Sequence, residues 1–285
     1  MTGKTRNRFS IMSSKLLLHR AALCNMVRRI ALEAGEITLD YFDETGYEGA
    51  EAKADGSPVT LADQEAEKLI QEKLEEMLPG IPMIGEEASA AGHKPDLSGH
   101  EYFWLVDPLD GTKEFISGRG DYTVNIALIY KGEPVMGVVY APAVGELYAG
   151  YTEDNGNCKA VRWVEDTDKE KEIHVRRPPK EGLTVVASKS HGSAQRLDQY
   201  LSEYKVEKVV KRGSSLKICV IAAGKADLYP RFGPTSEWDT AAGDAVLRAA
   251  GGIIRDLSGK PLIYGGADPR FLNPEFIAAP LGFFE

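Results

Sequence analysis

Leu23, Met26, Val27, Ile30, Ala34 and Ile37 recur at three- and four-residue steps as far as Tyr41, the spacing that lines one face of an α-helix. The basic residues from Arg20 onward then fall on the solvent face of that helix. Gly56-Ser57-Pro58 breaks the pattern, and a second stripe follows through Ala62, Ala66, Leu69, Ile70, Leu74 and Met77, stopped by Pro79-Gly80. IPMI at 81–84 reads as a strand running into Gly85-Glu86-Glu87. From Asp121 the period shortens: TVNIALIY, a KGEP turn, VMGVVYAP and ELYAGY predict an antiparallel meander. Residues 152–180 are polar and charged, with Pro178-Pro179 near their end, and read as a boundary or a surface excursion. Beyond them LTVVAS, VEKVV, SLKICVIAAGKA, DLYPRF, TAAGDAVLRAAGG and FIAAP alternate strand with helix. The expected class is α+β with an antiparallel sheet in the first half and α/β in the second, with units at 16–178 and 179–285.

With 285 residues the chain has room for one large or two ordinary domains. Its 34 basic and 43 acidic residues leave a formal net charge of -9, which argues against a broad phosphate-backbone surface and so against a nucleic-acid partner. A phosphorylated small molecule remains compatible, because a bound cation inverts the local electrostatics. Cys24, Cys158 and Cys219 are far apart and form no CxxC pair, which fits a reduced, cytoplasmic setting. No apolar run approaches the roughly 20 residues of a membrane helix, so no integral membrane segment is expected, and the chain is read as a monomer or homodimer. Lys4, Arg6, Arg8 and Lys15, with Ser10, Ser13 and Ser14, make 1–15 a disordered basic tail; organelle targeting or peripheral membrane association through it stays open.

The candidate chemistry is concentrated in WLVDPLDGTKEF at 104–115. Asp107 and Asp110 stand on a tight Asp-Pro turn, with the carbonyl of Leu109 between them, and Gly111-Thr112 starts a helix whose N–H groups would face an anion. Glu86 and Glu87 follow a strand, and Asp239 opens an Ala-rich helix. Acids at strand ends and helix starts suit Mg²⁺, which takes oxygen ligands and is commonly held by a few carboxylates plus a substrate phosphate. GSSLK at 213–217 and YPRF at 229–232 offer hydroxyl and basic groups for a second anionic group. Each acid also has a plainer role: Thr60 and Asp63 match a capping box, Asp239 an N-cap, Asp110 a turn residue, and Glu86-Glu87 a solvated pair. Gly3-Lys4-Thr5 lacks the upstream glycine and strand of a P-loop. Ser190-His191 lies in no GxSxG elbow, and the histidines show no HExxH spacing.

Gly85-Glu86-Glu87, the DPLDGT run at 107–112, and Trp238-Asp239 before an Ala/Gly-rich helix resemble, in order and spacing, the metal motifs of the inositol monophosphatase superfamily. The resemblance covers nearly the whole chain from about Leu16. SPVTLAD at 57–63, DPLDGTKEFI, GSSLK and LYPRFGPTSEWDTAAGDA are most similar to the bacterial 3'(2'),5'-bisphosphate nucleotidases, which convert adenosine 3',5'-bisphosphate, a by-product of sulfate activation, to AMP and phosphate. The resemblance implies a layered αβαβα sandwich and two or more Mg²⁺ ions held by Glu86, Asp107, Asp110, Asp239 and the Leu109 carbonyl. It also implies that Asp63 with Thr112 polarises the attacking water, and that Gly111, Thr112, Lys113, Ser188, His191, Gly213, Ser214, Lys217 and Arg231 contact the substrate. Lys217 and Arg231 would take the phosphate that is not cleaved, arginine offering a bidentate fork. The alternatives are an inositol-phosphate or sugar-phosphate phosphatase with the same metal site, and a non-catalytic phosphometabolite sensor. The presence of every acid together with Thr112 speaks against the sensor.

Overall fold

The computed structural model describes residues 15–53, 58–188, 194–266 and 268–284. The expected basic tail lies, apart from Lys15, outside these residues, as does His191. Helix α1 (Arg20–Tyr41) and helix α2 (Leu61–Met77) form where the two apolar stripes predict them. Leu23, Val27, Ile30, Ala34, Ala66, Ile70 and Leu74 are buried in one core, while Met26 remains exposed. Arg20, expected on the solvent face, is 3% exposed: its guanidinium bonds the Thr152 carbonyl and pairs with Asp154 at 2.6 Å, which offsets its burial.

Seven strands make the main sheet, in chain order: β1 (Met83–Gly85), β2 (Tyr102–Asp110), β3 (Thr123–Tyr130), β4 (Glu133–Ala141), β5 (Glu146–Thr152), β6 (Cys158–Val164) and β7 (Lys169–Glu172). β1 and β2 are parallel and all later neighbours antiparallel, so the predicted meander is present. Both faces are covered, which is why β2 and β3 read as nearly continuous apolar runs. Trp104, Val106, Val124, Ile126 and Leu128 pack toward α1 and α2, whereas Phe103, Leu105, Ala127 and Ile129 pack on the opposite side. The polar span at 152–180 is not merely an excursion, since it supplies β6 and β7 at the sheet edge. All four residues of the KEKE of β7 are exposed, and charge at an edge discourages pairing with other chains while hiding the strand pattern.

On the second face lie α6 (Leu216–Ala222) and α7 (Glu237–Ala249), covered in turn by a further strand layer. That layer holds parallel β8 (Leu183–Ser188) and β9 (Val206–Arg212), and β10 (Tyr229–Arg231), β11 (Gly252–Asp256) and β12 (Phe276–Pro280) in the antiparallel order β10-β12-β11. Outside it, α5 (Ala194–Leu201) brings Tyr200 and Leu201 onto Leu183, Val185 and Ile277. The layers therefore run α, β, α, β, α.

Helix α7 reaches the sheet at Gly137 of β4, where a Cβ would lie 2.3 Å from the carbonyl oxygen of Ala242. Backbone cannot yield as a flexible side chain does. Gly137→Ala is expected to destabilise the fold by about 1–3 kcal/mol through overpacking. Urea unfolding checks this, and a midpoint equal to that of the wild type would contradict so close an approach.

Candidate active site

Asp107 and Asp110 are three residues apart on β2, an odd spacing that would send them to opposite faces of an unbroken strand. Asp107 pairs with Asn125, but Asp110 pairs with Thr123, so three steps on β2 match two on β3. This bulge returns both carboxylates to one face. The segment read as a tight Asp-Pro turn is thus a bulged strand end, because Pro108 favours extended backbone at Asp107 and a strand accommodates that. Gly111 then adopts φ +97°, a left-handed conformation open to glycine, and caps the short helix α4 (Thr112–Ile116).

The same face receives the start of α6. Asp110 Oδ2 accepts from Ser214 Oγ at 2.6 Å, Ser215 N–H at 2.7 Å and Ser215 Oγ at 2.9 Å. Ser215 Oγ is also 2.6 Å from the Asp239 carbonyl and accepts from Asn125 Nδ2 at 2.9 Å, tying β2, β3, α6 and α7 together. On α7 the N-cap is Ser236 rather than Asp239; the Asp239 carboxylate sits three residues in and accepts the Ser236 N–H at 2.9 Å, completing a capping box. Asp110, Gly111, Lys113, Gly213, Ser214, Lys217, Arg231 and Asp239 share the wall of one cavity of about 200 Å³. Lys217 is buried with Nζ 2.5 Å from the Ser214 carbonyl; burial, against the pull of Asp110, lowers its pKa to about 8. The Arg231 Nε–H is buried without a partner among the described residues, a donor suited to an anion.

Asp63 enters from the start of α2. The Thr60 N–H and Oγ both donate to Asp63 Oδ2, at 2.8 and 2.6 Å, so the predicted capping box is present and Oδ1 is spared by that cap. Burial raises the Asp63 carboxyl to about 6 against those hydrogen bonds. Ala62 beside it packs in a small core with Leu109, Phe115 and Tyr122, which docks this helix end on the 109–115 segment. There the Thr112 hydroxyl donates to the Leu109 carbonyl at 3.3 Å. Helix α3 (Glu86–Ala90) follows β1, and the buried Glu67 of α2 accepts the backbone N–H groups of Glu87 and Ala88. Lys53 bonds Glu86 at 2.6 Å and Glu87 at 2.7 Å.

Charge repulsion links the acids of this region. Asp107 is pushed well above the usual carboxylate range by burial and by Glu86, Asp110 and Asp239; Asp239 is raised by burial, Asp110 and Glu86. Among the described residues Asp107 receives a single hydrogen bond, from the Leu109 N–H at 3.0 Å. Mutually repelling carboxylates gathered in one region, with Asp107 buried among them, fit a divalent cation, whose charge would offset that repulsion. As the side chains stand, no three His, Cys, Asp or Glu groups among the described residues close around one point. Ser214, Ser215 and Lys53 engage Asp110 and Glu86 instead.

Of the residues singled out from sequence, Glu86, Asp107, Asp110 and Asp239 are thus electrostatically joined, and eight of the candidates line the cavity, whereas Asp63, Glu86, Asp107, Leu109 and Thr112 stand outside its wall. Ser188 ends β8, and its side chain lies outside the described residues, as does His191. Sequence reasoning missed Lys53, Glu67, Thr123, Asn125 and the part played by Ser215. A hydroxyl beside Ser214 was a visible signal for Ser215, whereas Lys53 and Glu67 look like ordinary surface charges in a loop and on a helix.

Layered sheets and helices that gather acids beside a cavity lined by a buried lysine and a half-buried arginine define a class, the layered α/β phosphatases. Within it the chain belongs to the inositol monophosphatase family, whose model matches residues 20–279. A 3'(2'),5'-bisphosphate nucleotidase CysQ from Escherichia coli O6:H1 is 44% identical over 259 residues, covering 89% of this chain and 98% of that protein. Its namesake from Buchnera aphidicola is 37% identical, covering 91% and 94%. The crystal structure of CysQ from Bacteroides thetaiotaomicron superposes with a TM-score of 0.74 at 36% identity, covering 91% of this chain and 97% of that one.

Lys217 sets a pH dependence. Its ammonium form attracts anions, and with a pKa of about 8 it is lost as pH rises through that value. Inorganic phosphate should therefore bind up to about tenfold more weakly at pH ~9 than at pH ~7, as read by calorimetry. Lys217→Met should flatten that dependence; an unaltered slope would sink the assignment.

Proposed function

We propose that the protein is a Mg²⁺-dependent 3'(2'),5'-bisphosphate nucleotidase that hydrolyses the 3'-phosphate of adenosine 3',5'-bisphosphate, giving AMP and phosphate, and so serves sulfur assimilation. 3'-Phosphoadenylyl sulfate would be cleaved likewise to adenylyl sulfate. The observation that carries the reading is one cavity bounded by the carboxylates Asp110 and Asp239 and by the cations Lys217 and Arg231. Such a cavity offers one place for a scissile phosphate and another for a second one. The nucleotidase names of relatives spanning most of the chain support the same substrate class.

Glu86, Asp107, Asp110 and Asp239, with the Leu109 carbonyl, would hold two or more Mg²⁺ ions. When bound, such ions lower the pKa of water and neutralise charge on the phosphoryl group. Asp63 takes the proton of the attacking water in this reading, which is supported by its Oδ2 being held by Thr60 and by a pKa of about 6, suited to accepting a proton and releasing it near neutrality. Thr112, anchored on Leu109, orients the same water. Attack is direct and in line, with no covalent enzyme intermediate. The N–H groups at Gly111, Thr112 and Lys113 and the Ser214 hydroxyl face the scissile phosphate. Lys217 and Arg231 pair with the phosphate that stays, Gly213 gives room beside it, and Ser188 and His191 contact the nucleoside.

The partner is a small nucleotide bisphosphate, and no described helix is long and apolar enough to cross a membrane. The free cysteines fit the cytoplasm.

Phosphate release by the purified protein with Mg²⁺ tests the reading, using adenosine 3',5'-bisphosphate, inositol 1-phosphate and fructose 1,6-bisphosphate, each with and without EDTA. A strong, EDTA-sensitive preference for the adenosine bisphosphate is expected; preference for either other substrate would overturn the specificity, and no release from any would favour a sensor. Asp63→Asn should lower kcat by about two to four orders of magnitude while Mg²⁺ binding by calorimetry persists. Near-normal turnover would remove Asp63 from the chemistry.

A further inference from the structure

We infer that Glu67 is a positioning residue, which places Glu86 through the backbone of Glu87 and Ala88 and thereby sets how tightly the acidic cluster takes a divalent cation. This rests on the reading of Glu86 as a metal ligand. Glu67 is 5% exposed, and each of its two oxygens accepts one backbone N–H, from Glu87 at 2.8 Å and from Ala88 at 2.7 Å. These are N–H groups of the first turn of α3, which have no acceptor within the helix. A buried charge is a demanding choice for a cap, because Glu86 repels Glu67 as it does Asp63 and Asp107. What a carboxylate adds is a pair of charge-assisted bonds that fix two successive amides at once.

The residue before Glu86 is shaped to the same end. A Cβ at Gly85 would stand 2.5 Å from the Glu67 carboxyl carbon and from Oε2, so only glycine lets the carboxylate reach the amides. Gly85 is also the last residue of β1, paired with Val106 beside Asp107. Glu86 is therefore fixed from both sides, by the sheet before it and by Glu67 after it. Asp63 lies four residues earlier on α2, one turn away on the same face. A single rigid helix thus carries the group that takes the proton and the group that places Glu86.

Calorimetric titration of the full-length protein with Mg²⁺, comparing the wild type with Glu67→Ala and Glu67→Gln, tests this. Glu67→Ala should raise the Mg²⁺ Kd by about tenfold or more, the usual penalty for losing a group that orients a ligand. Glu67→Gln keeps one carbonyl acceptor and should fall between. A role in stability alone would lower the thermal midpoint in EDTA and leave the Kd of the folded protein unchanged, and that result overturns the inference. Should Glu67→Ala not fold, Gly85→Ala carries the test: its methyl displaces the carboxylate with Glu67 still present, and an unaltered Kd again refutes the role. A wild-type protein that takes up no Mg²⁺ would overturn the metal reading itself, and this role with it.

Discussion

Everything around the site follows from burying several carboxylates side by side. At an effective dielectric well below that of water, close like charges repel by kilocalories, and each needs donors or a cation. Asp110 finds donors in Ser214 and Ser215, Asp63 in Thr60, Asp239 in Ser236, and Glu86 in Lys53. The buried Asp107 has, among the described residues, only the backbone N–H of Leu109. The residual repulsion is a stored preference for positive charge. It is the reason the cluster is a candidate for a cation despite the protein donors that hold it as it stands.

That constraint explains the architecture. The β2 bulge exists because two acids at odd spacing must face one way, and Asn125 and Thr123 opposite them are polar because they meet Ser215 and Ser214. Helix α7 must approach the sheet closely enough to deliver Asp239, which Gly137 permits. On the other side the small core of Ala62, Leu109, Phe115 and Tyr122 sets α2 against the bulge. Packing, capping and electrostatics meet on the same few residues. The cap of Thr60 with Asp63 therefore fixes both the start of α2 and the orientation of a buried carboxylate beside the cluster.

The elements nearest this centre were readable from the chain because each had a strong local period. The stripes of α1 and α2 and the runs of β3, β4 and β5 are instances. Errors came where tertiary contacts override local pattern. Arg20 looked solvent-facing because its partners Thr152 and Asp154 lie over a hundred residues away. β6 and β7 looked like linker because an edge strand with solvent beside it carries charge. Lys53 and Glu67 gave no signal, since a lysine in a loop and a glutamate on a helix are ordinary until their partners are known.

The sequence by itself determined the family-level motifs, the identity of the clustered acids and the alternation of layers, because these depend on residue type and short-range spacing. Only the tertiary structure decided that Asp107 and Asp110 share a face, that Ser215 joins four elements, and that Glu67, lodged against Gly85, takes the backbone N–H groups of Glu87 and Ala88. The physical reason is the same in each case. A bulge, a hydroxyl bridge and a carboxylate lodged against a glycine are all made between residues distant along the chain, and no local period records them.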